Sequence, residues 1–548
     1  MRKITETENK NQRALSVILT VLLAFFLCLI FYVNLSCNPE YYDGDIYNDI
    51  NFAKEAWKAK SLFPANWVFG NQTYVVATPV LSALIYGVIG NAVTAMAIAS
   101  CIMTFLTVLT YEWMTRTLFS YNERTAGFLF LIGFLLMKAH VATSQQGLQA
   151  FFTMASYYSC YLITAYIVFG CYVRIRQKNF CKKHIPMLVI GAALSFGTGM
   201  QSLRQTAVMA LPLVVCELLL IIICSVRNKK VTLTSSSAFS VLILLSNVAG
   251  TVAVKFIEFS QNSIYGSTSF RTDPVDLLKN IMYNIEYAAL AFGLDSLKLI
   301  PRLVASVPFL LIILVGTVLC VKDFFKNGCR DQGIFALVVL LILGCAGVFA
   351  SGVLTELVGR ALYYFMIYPL FSVCVSYILV KLGKRKNIAA SAIAVFAATM
   401  LVFRTAGTVG EIKKGKDENS TSHQIADYML ENGYDTVFSV FGLSGVVDGA
   451  ENVIIASNDE LHIVQYKRVD GRFALQPVEY LCVKDDYKSR DNAKSLYLLR
   501  EYELDKVGEF AEKYGVTMTL KAQFGEVYLY SLSDNIVELV AENEETQK

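Results

Sequence analysis

The stretch ALSVILTVLLAFFLCLIFYVNLS, residues 14–36, contains no charged side chain and is long enough to cross a lipid bilayer as one helix. It follows Arg2, Lys3, Lys10 and Arg13, as the core of a signal peptide would. However, it is longer than such a core and lacks a clear cleavage site of small residues. We therefore predict that it is retained as a first membrane span.

The rest of the chain shares this apolar character. Of its 548 residues, 55% are hydrophobic and 17% are charged, and the mean hydropathy is +0.48. Apolar runs of span length indicate helices, because a helix satisfies its own backbone hydrogen bonds in hydrocarbon. The net charge is only +4, with no basic stripe and no zinc-finger pattern, so no nucleic-acid partner is expected. The predicted fold class is an α-helical polytopic membrane protein.

At about 20 residues per crossing, the sequence predicts about eleven spans. They lie near residues 14–36, 91–113, 125–140, 151–172, 185–200, 207–226, 237–256, 304–321, 333–351, 361–380 and 388–405. The basic loops then all fall on the side of the N-terminus, which the positive-inside rule places in the cytoplasm. This agreement requires that the segment 74–90, interrupted by Pro79, does not cross fully and forms a juxtamembrane or half-inserted helix. We expect a multi-pass protein of the cell membrane with an extracytoplasmic C-terminus.

The composition divides the chain into three parts. Residues 1–405 form the transmembrane region, including an outer loop 37–90 with juxtamembrane helices, and residues 406–421 form a polar linker. Residues 422–548 have the composition of a small soluble α/β domain. Its predicted elements are a helix near 422–432, strands at DTVFSVF, ENVIIAS and SLYLLREYE, a helix at DKVGEFAEKYG and a hairpin at TMTLKAQFGEVYLYSL.

The outer loop begins with an unusual acidic stretch, CNPEYYDGDIYNDINFA, which contains Asp43, Asp45 and Asp49. Apolar residues recur after Asp45 at helical spacing, which predicts an amphipathic helix in the membrane interface. These residues are Ile46, Ile50, Ala53 and Trp57. Asp45 and Asp49 then share one row of the helix. They can act as a general base toward an acceptor, or they can simply cap the helix.

The order of these segments resembles the GT-C superfamily of membrane glycosyltransferases, such as the protein O-mannosyltransferases and the aminoarabinose transferases. Members of that superfamily take a sugar from a polyprenyl phosphate, and an early outer loop carries an acidic pair before a pattern such as Asp-x-x-x-Tyr-x-x-x-Ala. The stretch DIYNDINFA matches that spacing at Asp45 and Ala53, with Asp49 at the tyrosine position. The resemblance implies that Asp45 is the catalytic base, while Asp43 and Asp49 tune it or bind a metal.

Two further stretches, LFSYNERTAGFLFLIGFLL and ELVGRALYYFMIYPL, are similar to elements of the family. The second implies that Arg360 binds the phosphate of the donor. Arg204 also lies at a predicted outer span end, where the guanidinium of an arginine can donate two hydrogen bonds to a phosphate. Alternatively, both arginines snorkel to lipid headgroups. Arg271 lies in a long outer loop that suits either a lid over the donor or a solvated connection.

Three outer residues are candidates for substrate binding. His140 ends the third predicted span, where it is either a ligand of a sugar hydroxyl or structural, and Tyr363 and Tyr364 follow Arg360. Most aromatic residues at span ends are explained by the membrane interface. After the third span the family often has a second acidic residue, but this chain has HVATSQQGLQAF. This change counts against a metal site of the oligosaccharyltransferase kind, so no cofactor is assigned, and a divalent cation, Mg²⁺ or Mn²⁺, stays an open alternative.

The function that we predict is inverting transfer of a hexosyl or pentosyl group from a polyprenyl-phosphate donor to an extracytoplasmic acceptor. The acceptor is a glycan, lipid or protein of the cell envelope. A transporter or lipid flippase is one alternative, but such proteins place charges at mid-span and show internal symmetry. A membrane sensor or scaffold with an outer binding domain is another.

Overall fold

The computed structural model describes a membrane region of packed helices and a C-terminal domain built on a β-sheet. The described residues are 2–36, 44–137, 141, 158–177, 182–229, 233–262, 269–292, 298–329, 332–357, 359–415, 420–440, 450–469, 472–488 and 490–546.

The membrane region consists of long apolar helices and a few shorter ones. They are α1 (Arg2–Ser36), α2 (Gly44–Ala59), α3 (Thr78–Ile89), α4 (Ala92–Thr115), α5 (Tyr121–Leu136), α6 (Ser159–Gln177), α7 (Ile185–Gln201), α8 (Leu211–Asn228), α9 (Ser235–Ala253), α10 (Pro274–Leu290), α11 (Leu299–Lys326), α12 (Gln332–Leu354), α13 (Ile367–Lys381) and α14 (Lys386–Gly415). A π-helical turn, Thr206–Ala210, precedes α8, and a 3-10 turn, Ala361–Tyr364, precedes α13.

Eight described helices are long and apolar enough to cross a membrane: Asn11–Ser36, Ala92–Thr115, Thr206–Arg227, Ser235–Phe256, Leu303–Lys326, Gln332–Leu354, Ala361–Lys381 and Gly383–Lys414. They coincide with eight of the eleven predicted spans. Helices α5, α6 and α7 occupy the other three, but they are shorter or less apolar. The prediction of a polytopic helical membrane protein is confirmed.

The two ends of the helix bundle differ. At one end Asn91, which caps α4, donates a hydrogen bond to Asn458 of the C-terminal domain (3.1 Å), and we call this end the domain side. At the other end, which includes the start of α1, Lys386 pairs with Glu123 (2.7 Å) and Lys381 pairs with Asp323 (2.5 Å). We call this end the basic side.

The half-inserted segment is built differently from the prediction. Pro79 lies in the first turn of α3, where its missing N–H costs no hydrogen bond, so it begins the helix instead of interrupting it. Gly90 ends α3 with a φ of +74°, a left-handed conformation that glycine adopts without strain. Helix α3 has only 12 residues, so it is too short to span a bilayer.

The C-terminal domain contains helices on a mixed sheet, as an α/β domain should. Its helices are α15 (Thr421–Glu431), α16 (Ala450–Ala456), α17 (Glu501–Tyr514) and α18 (Ile536–Thr546), and its strands are β3 (Thr436–Val440), β4 (His462–Val469), β5 (Arg472–Pro477), β7 (Ser495–Arg500), β8 (Met518–Phe524) and β9 (Val527–Leu532). The strand order is β5-β4-β3-β7-β9-β8, in which β4, β3 and β7 are parallel.

Two predictions for this part of the chain need correction. The stretch ENVIIAS is not a strand, because it lies in helix α16, where Ala450, Val453 and Ile454 pack at helical spacing into the core of the domain. The strand that pairs beside β3 is instead β4. In addition, α14 continues to Gly415, so the predicted linker 406–421 begins inside a helix.

A small second sheet joins the domain to the membrane region. Its central strand β1 (Trp67–Phe69) belongs to the outer loop, and it pairs with β2 (Ser260–Gln261) on one side and β6 (Cys482–Val483) on the other. The strand β6 belongs to the C-terminal domain. Backbone hydrogen bonds therefore connect three distant parts of the chain on the domain side.

Candidate functional site

On the domain side a partly buried arginine lies among tyrosine rings. The guanidinium of Arg204 is 4.5 Å from the ring centroid of Tyr363, 5.4 Å from that of Tyr158 and 5.6 Å from that of Tyr161. We call these four residues the Arg204 cluster. Each distance is within the range of a cation–π interaction, which stabilises the positive charge without neutralising it.

The three tyrosines come from two parts of the chain. Tyr158 and Tyr161 are three residues apart at the start of α6, so their side chains lie on the same face. Tyr363 belongs to the 3-10 turn before α13. Phe365 follows that turn and stacks on Tyr161 at a centroid distance of 6.1 Å, which joins the two parts.

Close helix packing fixes the loop that carries Arg204. A Cβ at Gly199 would come within 2.1 Å of the backbone oxygen of Asn247, so α7 and α9 touch backbone to backbone. Asn247 donates to the oxygen of Ser195 (3.0 Å) and accepts from Thr206 (2.5 Å). The loop between α7 and α8 is thus held on both sides of Arg204.

The charge of Arg204 has no acidic partner among the described residues. No described carboxylate lies within ion-pair distance of its guanidinium, and no described group accepts a hydrogen bond from it. A partly buried cation without an anion is unfavourable unless a ligand supplies the negative charge. The planar fork of an arginine matches the oxygens of a phosphate.

A second predicted arginine lies close to this cluster. Arg360 immediately precedes the turn Ala361–Tyr364, and its side chain is exposed. Tyr158 is within electrostatic reach of both Arg204 and Arg360. The structure therefore brings two of the three predicted phosphate-binding arginines to one place.

The third arginine and the second tyrosine have other contacts. Arg271 donates from Nε to the backbone oxygen of Thr355 (2.7 Å), which fastens the strip 269–271 to the end of α12. Tyr364 is buried and donates to Asn284 of α10 (2.8 Å). Tyr363 belongs to the Arg204 cluster and Tyr364 does not.

The outer loop reaches the cluster through Gln72. Tyr161 donates its hydroxyl hydrogen to Oε1 of Gln72 (2.6 Å). The neighbouring Thr73 is bonded to the backbone oxygens of Met200 (2.9 Å) and Gln201 (3.1 Å) at the end of α7. The segment that follows the juxtamembrane helix α2 therefore forms a wall of the site.

Asp45 and Asp49 belong to α2, which packs against that segment. Phe52 of α2 contacts Tyr74 at a centroid distance of 4.6 Å, and it also contacts Trp67 and Phe69 of β1. Asp49, three residues before Phe52, is only 1% exposed. Asp45 is the second residue of α2, but its side chain, like Asp43 and His140, lies outside the described residues.

The C-terminal domain covers the other face of α2. Tyr47 is buried in a core of that domain together with Ile425, Val453 and Ile463, and the N–H of Ile463 donates to its hydroxyl (3.4 Å). Lys54 pairs with Asp459 at 3.0 Å. These contacts explain why the polar residue Asn48 of α2 is buried. The helix is therefore held from both sides.

Within the described part of the chain, no group of three or more His, Cys, Asp or Glu residues is arranged to hold a metal ion. The side chains of Asp43 and Asp45, which precede Asp49 on or beside α2, lie outside the described residues. The sequence-based expectation of Mg²⁺ or Mn²⁺ therefore stays a prediction.

Three residues of the site were not found from the sequence: Tyr158, Tyr161 and Gln72. The three-residue spacing of the two tyrosines was a weak signal, because tyrosines are common at span ends for other reasons. Arg204 is separated from Tyr363 by more than 150 positions, so nothing local shows that they meet.

No family model matches the sequence, and no curated protein matches it. Among solved structures, the chain is similar to the crystal structure of ArnT from Cupriavidus metallidurans in the apo state. The TM-score is 0.52 at 11% sequence identity, and the similarity covers 95% of this chain and 98% of that chain. At this identity the similarity shows the fold alone, and the chain therefore has a fold like that of the ArnT structure.

Proposed function

We propose that the protein is a membrane glycosyltransferase that moves a sugar from a polyprenyl phosphate to an acceptor on the domain side. The Arg204 cluster is the observation that carries this proposal. In a GT-C fold, a cation without a described anionic partner at the membrane surface suits the phosphate of a lipid-linked sugar. The orientation in the cell, with the domain side extracytoplasmic, belongs to the same proposal.

The donor phosphate would lie between Arg204 and Arg360. The tyrosine rings provide an apolar wall beside the charge, which strengthens the attraction between guanidinium and phosphate by excluding water. Negative charge develops on the phosphate as the sugar leaves, so preorganised arginines stabilise the transition state more than the bound donor. The polyprenyl chain would remain in the bilayer beside the helices.

The acceptor would be activated by Asp45. Its carboxylate takes the proton from the acceptor hydroxyl or amine while the acceptor atom forms a bond to the anomeric carbon. The bond from that carbon to the phosphate oxygen breaks, and the phosphate leaves with the electron pair. A single displacement of this kind inverts the anomeric configuration. Asp43 and Asp49 would adjust the pKa of Asp45 or help to hold a divalent cation.

The other candidate residues would have supporting roles. Tyr363 would contact the donor directly because it faces Arg204, while Tyr364 and Arg271 would hold neighbouring segments. His140 remains a candidate for binding a sugar hydroxyl. The C-terminal domain, which covers α2 and the outer loop, would shape the access of an acceptor from the cell envelope.

Transfer of a labelled sugar from polyprenyl-phosphate donors, by purified protein in lipid vesicles, tests this proposal. General-base catalysis typically contributes about 10²–10⁴-fold, so Asp45→Asn should lower kcat by about that factor. Asp505→Asn, at an exposed position of α17, is the matched control and should leave the rate unchanged. An unaltered rate in Asp45→Asn would remove the base assignment, and no transfer from any donor would favour the transporter or sensor alternatives.

A further inference from the structure

A polar cavity opens on the basic side, at the other end of the bundle from the Arg204 cluster. Its volume is about 400 Å³, which is within the usual range of small-ligand sites. It lies where α1 and the starts of α5 and α14 meet, and these three helices pack on one another. Every residue that lines it is polar or charged except Ala390. A cavity with such walls suits a polar ligand.

The carboxylate in this cavity is already satisfied. Glu123 accepts from Lys386 at one oxygen (2.7 Å) and from the backbone N–H of Ser120 at the other (2.9 Å). On the neighbouring wall, Ser16 donates to the side-chain oxygen of Asn122 (2.6 Å). Because both oxygens of Glu123 have donors within the protein, the cavity does not require a cation.

The charges of the lining favour an anion instead. The lining contains two cations, Arg13 and Lys386, and a single carboxylate, Glu123. Arg13 is exposed at the cavity and has no acidic partner among the described residues. The start of α5 at Tyr121 also lies in the wall, and the N-terminal end of a helix adds partial positive charge. A guanidinium in this setting suits the oxygens of a phosphate.

The height of the cavity in the bundle points to the source of that phosphate. Arg13 and Ser16 lie in the first two turns of the candidate span Asn11–Ser36, and Lys386 lies near the start of the candidate span Gly383–Lys414. The start of an apolar span is the level at which headgroups meet hydrocarbon. A ligand in the cavity is therefore at the height of the lipid phosphates.

Exposed apolar side chains continue from the cavity along the spans. On α1, Val17 and Val21 follow Arg13 at intervals of four residues, and they are 62% and 60% exposed. On α14, Val395 follows Asn387 by eight residues and is 67% exposed. Residues four apart lie on one face of a helix, and neither strip contains a charged residue beyond the cavity. A soluble phosphate compound would use only the cavity, whereas a phospholipid would use the cavity and the strips.

We propose that this cavity binds the headgroup of an anionic phospholipid, with the phosphate at Arg13 and the acyl chains along Val17 and Val21. The bound lipid joins α1, α5 and α14 on the basic side. A zwitterionic headgroup brings a cation of its own close to Lys386, so it binds more weakly. The site is separate from the Arg204 cluster and does not depend on sugar transfer.

Thermal unfolding of the full-length protein in detergent micelles tests the site without any enzymatic assay. Added dioleoyl phosphatidylglycerol should stabilise the wild type, and the concentration dependence gives an apparent Kd. Dioleoyl phosphatidylcholine should stabilise it much less, and sn-glycerol 3-phosphate, which has the phosphate without acyl chains, should not stabilise it. Arg13→Gln should raise the apparent Kd for phosphatidylglycerol by about tenfold, because it removes a charge-assisted hydrogen bond.

Two control variants separate this cavity from other sites. Arg116→Gln removes an exposed arginine of the basic side that does not line the cavity, and it should keep the wild-type Kd. Arg204→Gln should keep it as well, because Arg204 lies at the other end of the bundle.

Four results would overturn the proposal. An unchanged Kd in Arg13→Gln would remove the site. An equal loss in Arg116→Gln would mean that the whole basic side attracts the lipid. Equal stabilisation by phosphatidylcholine would exclude recognition of the net negative charge, and equal stabilisation by sn-glycerol 3-phosphate would make the ligand a soluble phosphate.

Discussion

Two arginines, one at each end of the helix bundle, are held in opposite ways. Arg176, on the basic side, is nearly buried and pairs with Glu217, and it also donates to Gln332 (2.8 Å) and Ser236 (2.9 Å). Arg204, on the domain side, has tyrosine rings around it and no described carboxylate within ion-pair distance. The charge of Arg176 is therefore compensated within the protein, whereas Arg204 has no anionic partner among the described residues.

On the proposed function, this difference separates a structural arginine, Arg176, from one that binds the donor, Arg204. Glu217 accepts hydrogen bonds from Tyr172 and Ser237 in addition to Arg176, so the pair joins α6, α8 and α9. A buried ion pair of this kind needs all of its partners, because the loss of one leaves a charge without compensation. On the proposed function, the Arg204 cluster instead holds its cation for a phosphate that binds and leaves.

The largest expected effect is on transfer by Arg204→Gln. Removing one preorganised charge-stabilising group typically costs about 10²–10³-fold in kcat, and we expect a loss of that size in labelled-sugar transfer. Arg204→Lys should restore only part of the rate, because an ammonium cannot reproduce the planar fork. Arg227→Gln, which removes an exposed charge on the basic side, should be neutral. Full activity of Arg204→Gln would show that the cluster does not bind the donor.

The next largest effect is on the stability that the ion pair between Arg176 and Glu217 contributes. Glu217→Gln should destabilise the bundle by about 3–5 kcal/mol, because Arg176 would remain buried without its anion. Arg204→Gln should change the same thermal unfolding curve very little. If the two variants lost equal stability, the distinction between a structural and a binding arginine would fail.

A smaller effect separates the two adjacent tyrosines. Tyr363→Leu removes a ring from Arg204, and cation–π interactions are worth about 0.5–2 kcal/mol, so KM for the donor should rise by roughly 2- to 30-fold. Tyr364→Phe removes a hydrogen bond to Asn284 and should instead cost about 1 kcal/mol of stability. The opposite assignment of the two effects would mean that Tyr364 is the residue that meets the donor.

The smallest effect is on the stability that Asp486 contributes to the C-terminal domain through its contacts with His462 and Arg490. Burial opposes the ionised form of Asp486, but its hydrogen bonds and charge interactions with His462 and Arg490 outweigh burial and hold its pKa below the ordinary value. A lowered folded pKa gives stability that is present above the unfolded value, about 3.9, and lost as pH falls through the folded value. Asp486→Asn should therefore cost about 1 kcal/mol or less near neutral pH and less in acid. A cost that grows as the pH falls would contradict this assignment.

The membrane fold could be predicted because its determinants are local. Each span is an uninterrupted apolar run, and the acidic helix after the first span follows from its own spacing of Ile46, Ile50 and Ala53. The failure at ENVIIAS is also local in origin. Its β-branched residues favour a strand, but their spacing lets Val453 and Ile454 pack into the core as a helix.

The site could be predicted only in part. Arg204 was a candidate because it lies at a predicted outer span end, and Arg360 because the resemblance implied it. The rings around Arg204 come from a distant helix and a distant turn. Likewise, nothing in the sequence shows that Tyr364 turns away from Tyr363 toward Asn284. Contacts of this range follow from helix packing, which a single sequence does not display.

Whether the Arg204 cluster receives a lipid phosphate is measured most directly by comparing how polyprenyl phosphate and polyprenol stabilise the protein against unfolding. A ligand that binds only the folded state, at about 100 times its Kd, adds about 2.7 kcal/mol of stability. We predict that polyprenyl phosphate raises the unfolding temperature of the wild type, that polyprenol does not, and that Arg204→Gln abolishes the difference. Equal stabilisation of the wild type and Arg204→Gln by polyprenyl phosphate would contradict the account.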